Sequence, residues 1–210
     1  MKAALILKGG PAVPDGGKLK RHGITRCYYE ANDPQISEQF FNDLRSWGFE
    51  AAIMRDPVWS NYNDTPQQFV AKVSADINRL TPLRAGKRAP LAVMLDIERH
   101  DEAYVFDALS EFKRVWPGKN VAWTLEYHQG GWFSQRLVEL INGYSQCRVL
   151  PQLYYGDMSN VVDSHAAARD LAQPHGGVND DRVGFFYSLR APIPVDWDGV
   201  LYLENWTLLP

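Results

Sequence analysis

The sequence lacks the features that define several protein classes. Its 210 residues include only two cysteines, Cys27 and Cys147. They lie far apart and outside any metal-ligand spacing, so we expect two small buried apolar residues rather than a disulfide framework or a zinc site. No apolar run approaches the roughly 18 residues of a membrane helix. The net charge of -3 is too near zero for bulk attraction to nucleic acid or to an anionic membrane.

The motifs of common cofactor and nucleophile sites are also missing. The chain has no glycine-rich nucleotide fingerprint, no phosphate loop, no GxSxG elbow and no HExxH zinc motif. We therefore expect no cofactor and no metal. Residues 1–8 carry one early charge and a short apolar patch without a cleavage site. They predict a first strand rather than a signal peptide, and hence a soluble chain with neither leader nor membrane span.

Short apolar runs alternate with amphipathic stretches along the chain. The predicted strands cover residues 3–7, 24–29, 51–54, 91–96, 121–126, 148–154, 183–187 and 200–203. The predicted helices cover residues 38–47, 101–115, 134–144 and 164–172, with a further helix that begins at Thr65 as N-cap and Pro66 at the first position. Residues 9–23 and 188–199 are predicted to form loops. The basic residues at 18–21 and 84–88 are predicted to be solvated loop charges.

Eight strands separated by helices predict a single α/β domain over residues 1–210. The predicted fold is a compact (β/α)8 TIM-like barrel, irregular because some helices must be short or missing. An open, doubly wound sheet is the structural alternative. In the barrel, strands 91–96 and 121–126 should be parallel neighbours, because sequential parallel strands usually pair side by side.

The most informative segment is the apolar run at 91–95, which ends in two acids, Asp96 and Glu98. Residues two apart in a strand point to the same side, so both carboxyls should project from the strand end. Two carboxyls held close together cannot both ionise freely, which raises the pKa of one of them. The expected acid is Glu98.

Acidic and aromatic residues also follow the other predicted strands. Because the carboxyl ends of barrel strands meet at the face where such enzymes act, these side chains should surround one site. The carboxylates considered for catalysis are Glu98, Asp96, Glu126 and Glu204, with Asp56 and Glu30 in reserve. The residues expected to bind substrate are Tyr29, Asp56, Trp59, Tyr127, Trp132, Tyr155, Asn205 and Trp206. Aromatic rings stack on sugar faces while carboxylates and amides bind hydroxyls, so the set indicates a polysaccharide ligand.

The strand that ends Asp-Ile-Glu resembles the fourth-strand motif of glycoside hydrolase family 25, the muramidases of bacteria and bacteriophages. The resemblance implies a barrel that cleaves peptidoglycan, with Glu98 as general acid and Asp96 supporting charge. It also implies an aromatic lining, for which Trp123, Tyr127, Tyr154 and Tyr155 are available. Two departures are evident: strand one ends without an acid, and the late Trp-Gln-Tyr signature is absent.

Three functions therefore remain open. The first is a glycoside hydrolase that acts on a cell-wall polysaccharide, from a diverged phage or bacterial member of that family. The second is a catalytically inactive barrel that binds glycan or other virion proteins in a phage tail, which the missing first-strand acid favours. The third is unrelated barrel chemistry, such as a metal-independent lyase or isomerase.

Overall fold

Parallel strands and helices alternate through the part of the chain that the computed structural model describes. These residues are 2–6, 16–30, 38–57, 64–81, 83–84, 87–88, 92–97, 101–126, 134–152, 176–188, 197 and 199–203. Within them the strands are β1 (Lys2–Ile6), β2 (Arg26–Glu30), β3 (Glu50–Arg55), β4 (Leu83–Arg84), β5 (Lys87–Arg88), β6 (Val93–Asp96), β7 (Val121–Glu126), β8 (Cys147–Gln152), β9 (Phe185–Ser188) and β10 (Gly199–Leu203). The helices are α1 (Gly16–Arg21), α2 (Glu38–Ser46), α3 (Pro66–Leu80), α4 (Glu102–Val115) and α5 (Gln135–Asn142), with a short 3-10 turn at Asp180–Arg182.

Eight of the described strands close into a parallel barrel in the order β1-β2-β3-β6-β7-β8-β9-β10. Closure comes from β1, which pairs with β2 on one side and with β10 on the other. The weakest seam joins β8 to β9, where one ladder pair links Gln152 to Phe186. The predicted TIM-like barrel is confirmed, and so is the pairing of β6 with β7. An open sheet would leave β1 and β10 as unpaired edges, and it is excluded because these two strands pair with each other.

Two segments differ from their prediction. The loop expected over residues 9–23 contains helix α1, so the basic residues at 18–21 lie on a helix that buries Leu19 completely. The helix was not predicted because its sequence is rich in glycine and lysine, and Leu19 is its one large apolar residue. The basic residues at 84–88 belong partly to a two-stranded antiparallel hairpin, β4 with β5. The predicted helix at 164–172 lies outside the described residues, as does most of 188–199.

Alternate residues of each strand sort into two cores. The inner core fills the barrel with small and medium apolar side chains, among them Leu5, Ala52, Met94, Ala122 and Leu150. The outer core lies between the strands and the helices that cover them. Cys27 and Cys147 are free and buried in this outer core, as predicted. Burial raises the pKa of each thiol to about 12.

Helix α3 anchors the end of β3. Thr65 caps the helix, Pro66 opens it, and Gln68 completes a capping box, which confirms the predicted start. On the same helix the buried Asp76 pairs with Arg55, the last residue of β3, and also with Arg79. The ion pair therefore fixes the strand end from outside the barrel. Of the helices described, none combines the length and hydropathy that a membrane span requires.

Candidate functional site

A chain of hydrogen bonds crosses three neighbouring strands at the carboxyl end of the barrel. Thr124 of β7 donates its hydroxyl to Asp96 Oδ1 of β6 at 3.0 Å. The same hydroxyl accepts a hydrogen bond from Gln152 Nε2 of β8 at 2.9 Å. Thr124 is fully buried and Gln152 nearly so, whereas Asp96 is part-buried. The chain orients one oxygen of the carboxylate and leaves the group in reach of the barrel mouth.

Strand alternation explains why these three polar groups face inward. On β6 the inward residues Ala92 and Met94 precede Asp96, and on β7 the inward Ala122 precedes Thr124. The apolar residues thus fill the barrel, and a polar layer follows one step closer to the carboxyl end. Water is kept from the underside of this layer, so its hydrogen bonds form in a medium of low polarity, where they hold a fixed geometry.

A second acid follows the strand that neighbours β6. The register pairs Met54 with Met94 and Arg55 with Leu95. Asp56 directly follows the last residue of β3, and Asp96 is the last residue of the adjacent strand β6. Asp56 is part-buried. Two of the acids that the sequence predicted for the site therefore lie at the carboxyl ends of neighbouring strands.

The helices that follow β6 and β7 are tied together at the same end of the barrel. Asp101 caps α4 through the Tyr104 amide, and Ser134 caps α5. Glu102, in the first turn of α4, accepts hydrogen bonds from Ser134 and from Arg136. The Arg136 bond is the main reason why the pKa of Glu102 lies below its ordinary value. These contacts tie the first turn of α4 to the first turn of α5.

Most of the predicted site falls outside the described residues. These positions are Glu98, Glu204, Trp59, Tyr127, Trp132, Tyr155, Asn205 and Trp206, together with Tyr154 from the predicted aromatic lining. Glu126 is the last residue of β7, and only its backbone is described; the same holds for Glu30 on β2. Their roles, including the raised pKa expected for Glu98, stay predictions.

Two aromatic residues of the predicted set face the helices. The Tyr29 ring packs edge-on against Phe41 of α2, with the ring centres 6.5 Å apart, and belongs to the outer core. Trp123 is fully buried in that same core. Trp123 is thus wrong as a lining residue of the barrel mouth, because its strand position points outward. For Tyr29 the position favours packing, and contact with a ligand stays a prediction.

Thr124 and Gln152 were not among the residues predicted for the site. Each follows three apolar residues of its strand, Val-Ala-Trp before Thr124 and Val-Leu-Pro before Gln152. A polar residue near the carboxyl end of a buried strand is a signal that could have identified both. In the part of the chain that is described, no group of three or more His, Cys, Asp or Glu side chains could hold a metal ion.

Comparisons with known proteins find similarity in fold rather than in sequence. No family model matches the chain, and no curated protein sequence matches it. The catalytic domain of a hyperthermophilic chitinase from Pyrococcus furiosus superposes with a TM-score of 0.61 at 16% identity, over 97% of this chain and 76% of that one. Active domain 2 of a thermostable chitinase from the same organism, in a structure with chito-oligosaccharides, gives 0.65 at 13% identity, over 96% and 82%.

A third similar structure has a different activity. The xylanase and alpha-amylase inhibitor protein XAIP-II from Scadoxus multiflorus superposes with a TM-score of 0.57 at 8% identity, over 99% of this chain and 93% of that one. At these identities the likeness establishes the barrel fold alone. None of these three structures is a muramidase or a virion protein, so they lend no support to family 25 in particular.

Proposed function

We propose that this barrel is a glycoside hydrolase that binds a polysaccharide containing N-acetylglucosamine across its carboxyl end. The observation that carries the proposal is the Gln152–Thr124–Asp96 chain, which presents an oriented carboxylate at the barrel end where such enzymes act. The fold shared with chitinase catalytic domains supports it. Chitin and the peptidoglycan of the sequence prediction both contain this sugar, so the class covers either polymer.

In the proposed mechanism Glu98 protonates the leaving oxygen of the glycosidic bond. Asp96, held by Thr124, stays close to the positive charge that develops at the sugar ring. A carboxylate acts best when its geometry is set before the reaction, and the buried Thr124 hydroxyl supplies that setting. Asp56, which directly follows the neighbouring strand β3, adds a second carboxylate that can bind sugar hydroxyls.

The stereochemical outcome depends on a further carboxylate. Glu126 and Glu204 are the candidates, since both follow strands of the barrel. A carboxyl about 5–5.5 Å from Glu98 would attack directly and retain configuration, whereas roughly 6.5–9.5 Å would leave room for water and invert it. The aromatic residues predicted at strand ends would stack on the sugar rings, each contributing about 1 kcal/mol.

A barrel that binds glycan without cleaving it is the second candidate. Two observations favour it: strand β1 ends without an acid, and an inhibitor protein shares the fold. Such a module would keep the aromatic residues and lose hydrolysis. Assembly with virion proteins, as the sequence analysis considered, belongs to this second reading.

The experiment that separates these functions measures the release of reducing ends from a soluble chito-oligosaccharide and the clearing of purified bacterial cell walls. The proteins are wild type, Glu98→Gln and the control Glu139→Gln, whose exposed carboxylate on α5 bonds to neutral Gln135. We expect wild type and control to cleave at least one of these polymers. The rate of Glu98→Gln should be lower by about a hundredfold or more, because general acid catalysis typically accelerates a reaction by at least that factor. If no protein cleaves either polymer but wild type binds one, the binding module is selected.

A further inference from the structure

A cavity opens at the amino end of the barrel, opposite the candidate site. Its volume is about 330 Å³, and it lies among the first residues of β2, β7, β8 and β10. The side chains that give it its character are Arg26, Tyr28, Asn120, Arg148 and Arg182. The apolar inner core separates it from Asp96 and Thr124, so it is a separate compartment of the molecule.

Tyr28 places a buried hydrogen-bond donor on this cavity. The residue is 1% exposed, and its hydroxyl accepts from Arg26 Nη1 at 3.2 Å. In the described part of the chain, no group accepts the hydroxyl's own proton. Burial raises the pKa of Tyr28, and the nearby Arg26 and Arg148 only reduce that rise, so the group is a neutral donor near pH 7. A buried donor without an acceptor is unfavourable, so an acceptor is expected at this point.

The arginines differ in how much of their donor capacity is used. Arg26 is engaged by Glu50 through Nε and Nη2 at 2.7–2.9 Å. Arg148 forms no hydrogen bond or ion pair with the described residues. Arg182 donates Nη1 to the Ser145 carbonyl, but its Nε is buried and has no hydrogen-bond partner there. Donors and positive charge therefore exceed acceptors around the cavity.

Two backbone carbonyls at this end are already engaged by neighbouring strands. The Val93 amide donates to the Asn120 carbonyl, and the Val121 amide donates to the Gln146 carbonyl. Both are hydrogen bonds between the starts of neighbouring strands. The acidic side chain described at the cavity, Asp181, is two-thirds exposed and sits 3.5 Å from Arg182 Nη2. The part that remains unfilled is the space between Tyr28, Arg148 and Arg182.

The geometry points to a second binding site, at the amino end of the barrel, for a small organic oxyanion whose phosphate or carboxylate group is held by Tyr28, Arg148 and Arg182. Oxyanions are the acceptors that guanidinium groups bind in pairs of parallel hydrogen bonds. The volume is at the lower end of the range for ligand pockets, which suits a molecule of a few carbon atoms rather than a polymer. The bound anion stabilises the barrel by mass action.

The test uses isothermal titration at low ionic strength with glycerol phosphate, glycerate and glycerol. These probes share a carbon skeleton and differ in the anionic group. We expect the wild-type protein to bind at least one anion and not glycerol, and to show a higher midpoint of thermal unfolding in its presence. Binding of glycerol phosphate alone identifies phosphate as the preferred group, and binding of glycerate alone identifies carboxylate. Binding of neither anion, or equal binding of glycerol, overturns the proposal.

Three variants locate the site. Arg148→Gln removes an exposed side chain that has no partner among the described residues, and we expect the Kd of the anion to rise about tenfold. Tyr28→Phe keeps the ring, removes the hydroxyl, and should raise the Kd about threefold or more. Arg114→Gln is the control, because that arginine pairs with Glu111 on the exposed side of α4. Unchanged affinity in the first two variants, or an equal loss in the control, contradicts this site.

Discussion

At the carboxyl end of the barrel a carboxylate receives a chain of hydrogen bonds, whereas at the amino end donors line a cavity and exceed the acceptors that the described residues offer. Asp96, Thr124 and Gln152 satisfy one another across three strands. Tyr28 and Arg148 instead retain donor capacity. The apolar inner core lies between the two ends and keeps their chemistry apart. In our proposals, the carboxyl end acts on a glycan through an acid and the amino end binds an anion.

The largest expected difference between the ends is in catalysis. Asp96→Asn keeps the size of the side chain and removes its charge, so we expect hydrolysis of the preferred polymer to fall about a hundredfold. Arg148→Gln, at the opposite end, should leave the rate within about twofold of wild type, because the inner core separates it from the substrate. Initial rates at saturating substrate measure both. Equal losses in the two variants would show that the ends are not independent.

The next effect concerns the anchor of β3. Asp76→Ala leaves Arg55 without its carboxylate inside a nearly buried environment, so we expect the free energy of unfolding to fall by about 2 kcal/mol. Urea denaturation followed by tryptophan fluorescence measures the change. Ala75→Ser, at an exposed position on the same helix, is the control and should change stability by less than about 0.5 kcal/mol. A loss no larger than that of the control would remove the anchoring role.

Thr124→Val tests the polar layer with almost no change in shape. The change removes the hydroxyl that accepts the hydrogen bond from the buried Gln152 amide. The free energy of unfolding should therefore fall by about 1–2 kcal/mol. Thr25→Val is the matched control, because Thr25 is exposed and bonds to the Lys2 carbonyl at the amino end. We expect that control to stay within about 0.5 kcal/mol of wild type. If Thr124→Val leaves the free energy of unfolding unchanged, the hydrogen bonds among Asp96, Thr124 and Gln152 contribute nothing to stability.

These effects could be anticipated only in part from the sequence. The apolar runs of β6 and β7 predicted their positions and their pairing because both strands are buried and carry strong β-type residues. For the adjacent Tyr28 and Tyr29, the face of the sheet on which each lies was not predicted correctly. Neighbouring strand residues point to opposite faces, and a one-residue shift in register exchanges them. The sequence analysis assigned Tyr29 to the site, whereas Tyr28 is the residue that faces the barrel interior.

The polar residues of both ends were harder to predict for a physical reason. Thr124 and Gln152 each follow three apolar residues of a strand, and one polar residue there is ordinary sequence variation unless a neighbouring strand supplies its hydrogen-bond partner. Arg26 and Arg148 stand near strand starts, where a solvated charge is the usual interpretation. Only the closed barrel brings these positions from distant parts of the sequence to one end.

The smallest expected effect is a pH dependence at the carboxyl end. The pKa of Glu102 is lowered by the Arg136 hydrogen bond, so the folded state gains stability from this pair above the carboxyl's unfolded pKa. That gain is lost as the pH falls through the folded pKa. The stability difference between wild type and Glu102→Gln should therefore be largest near neutrality and vanish in acid. The control Glu139→Gln should show a smaller and flatter difference, measured by urea denaturation across the same pH series.

The most direct test of the two-ended barrel is an NMR titration of the Glu98→Gln variant with a chito-oligosaccharide. This variant retains the binding surface while hydrolysis is suppressed. We predict that amide shifts concentrate at the carboxyl ends of the strands, at Asp96, Ile97, Glu126 and Gln152. The amides of Val121, Arg148 and Gly184, at the amino end, should not move. Shifts confined to the amino end, or no shifts at saturating oligosaccharide, would contradict a glycan site at the carboxyl end.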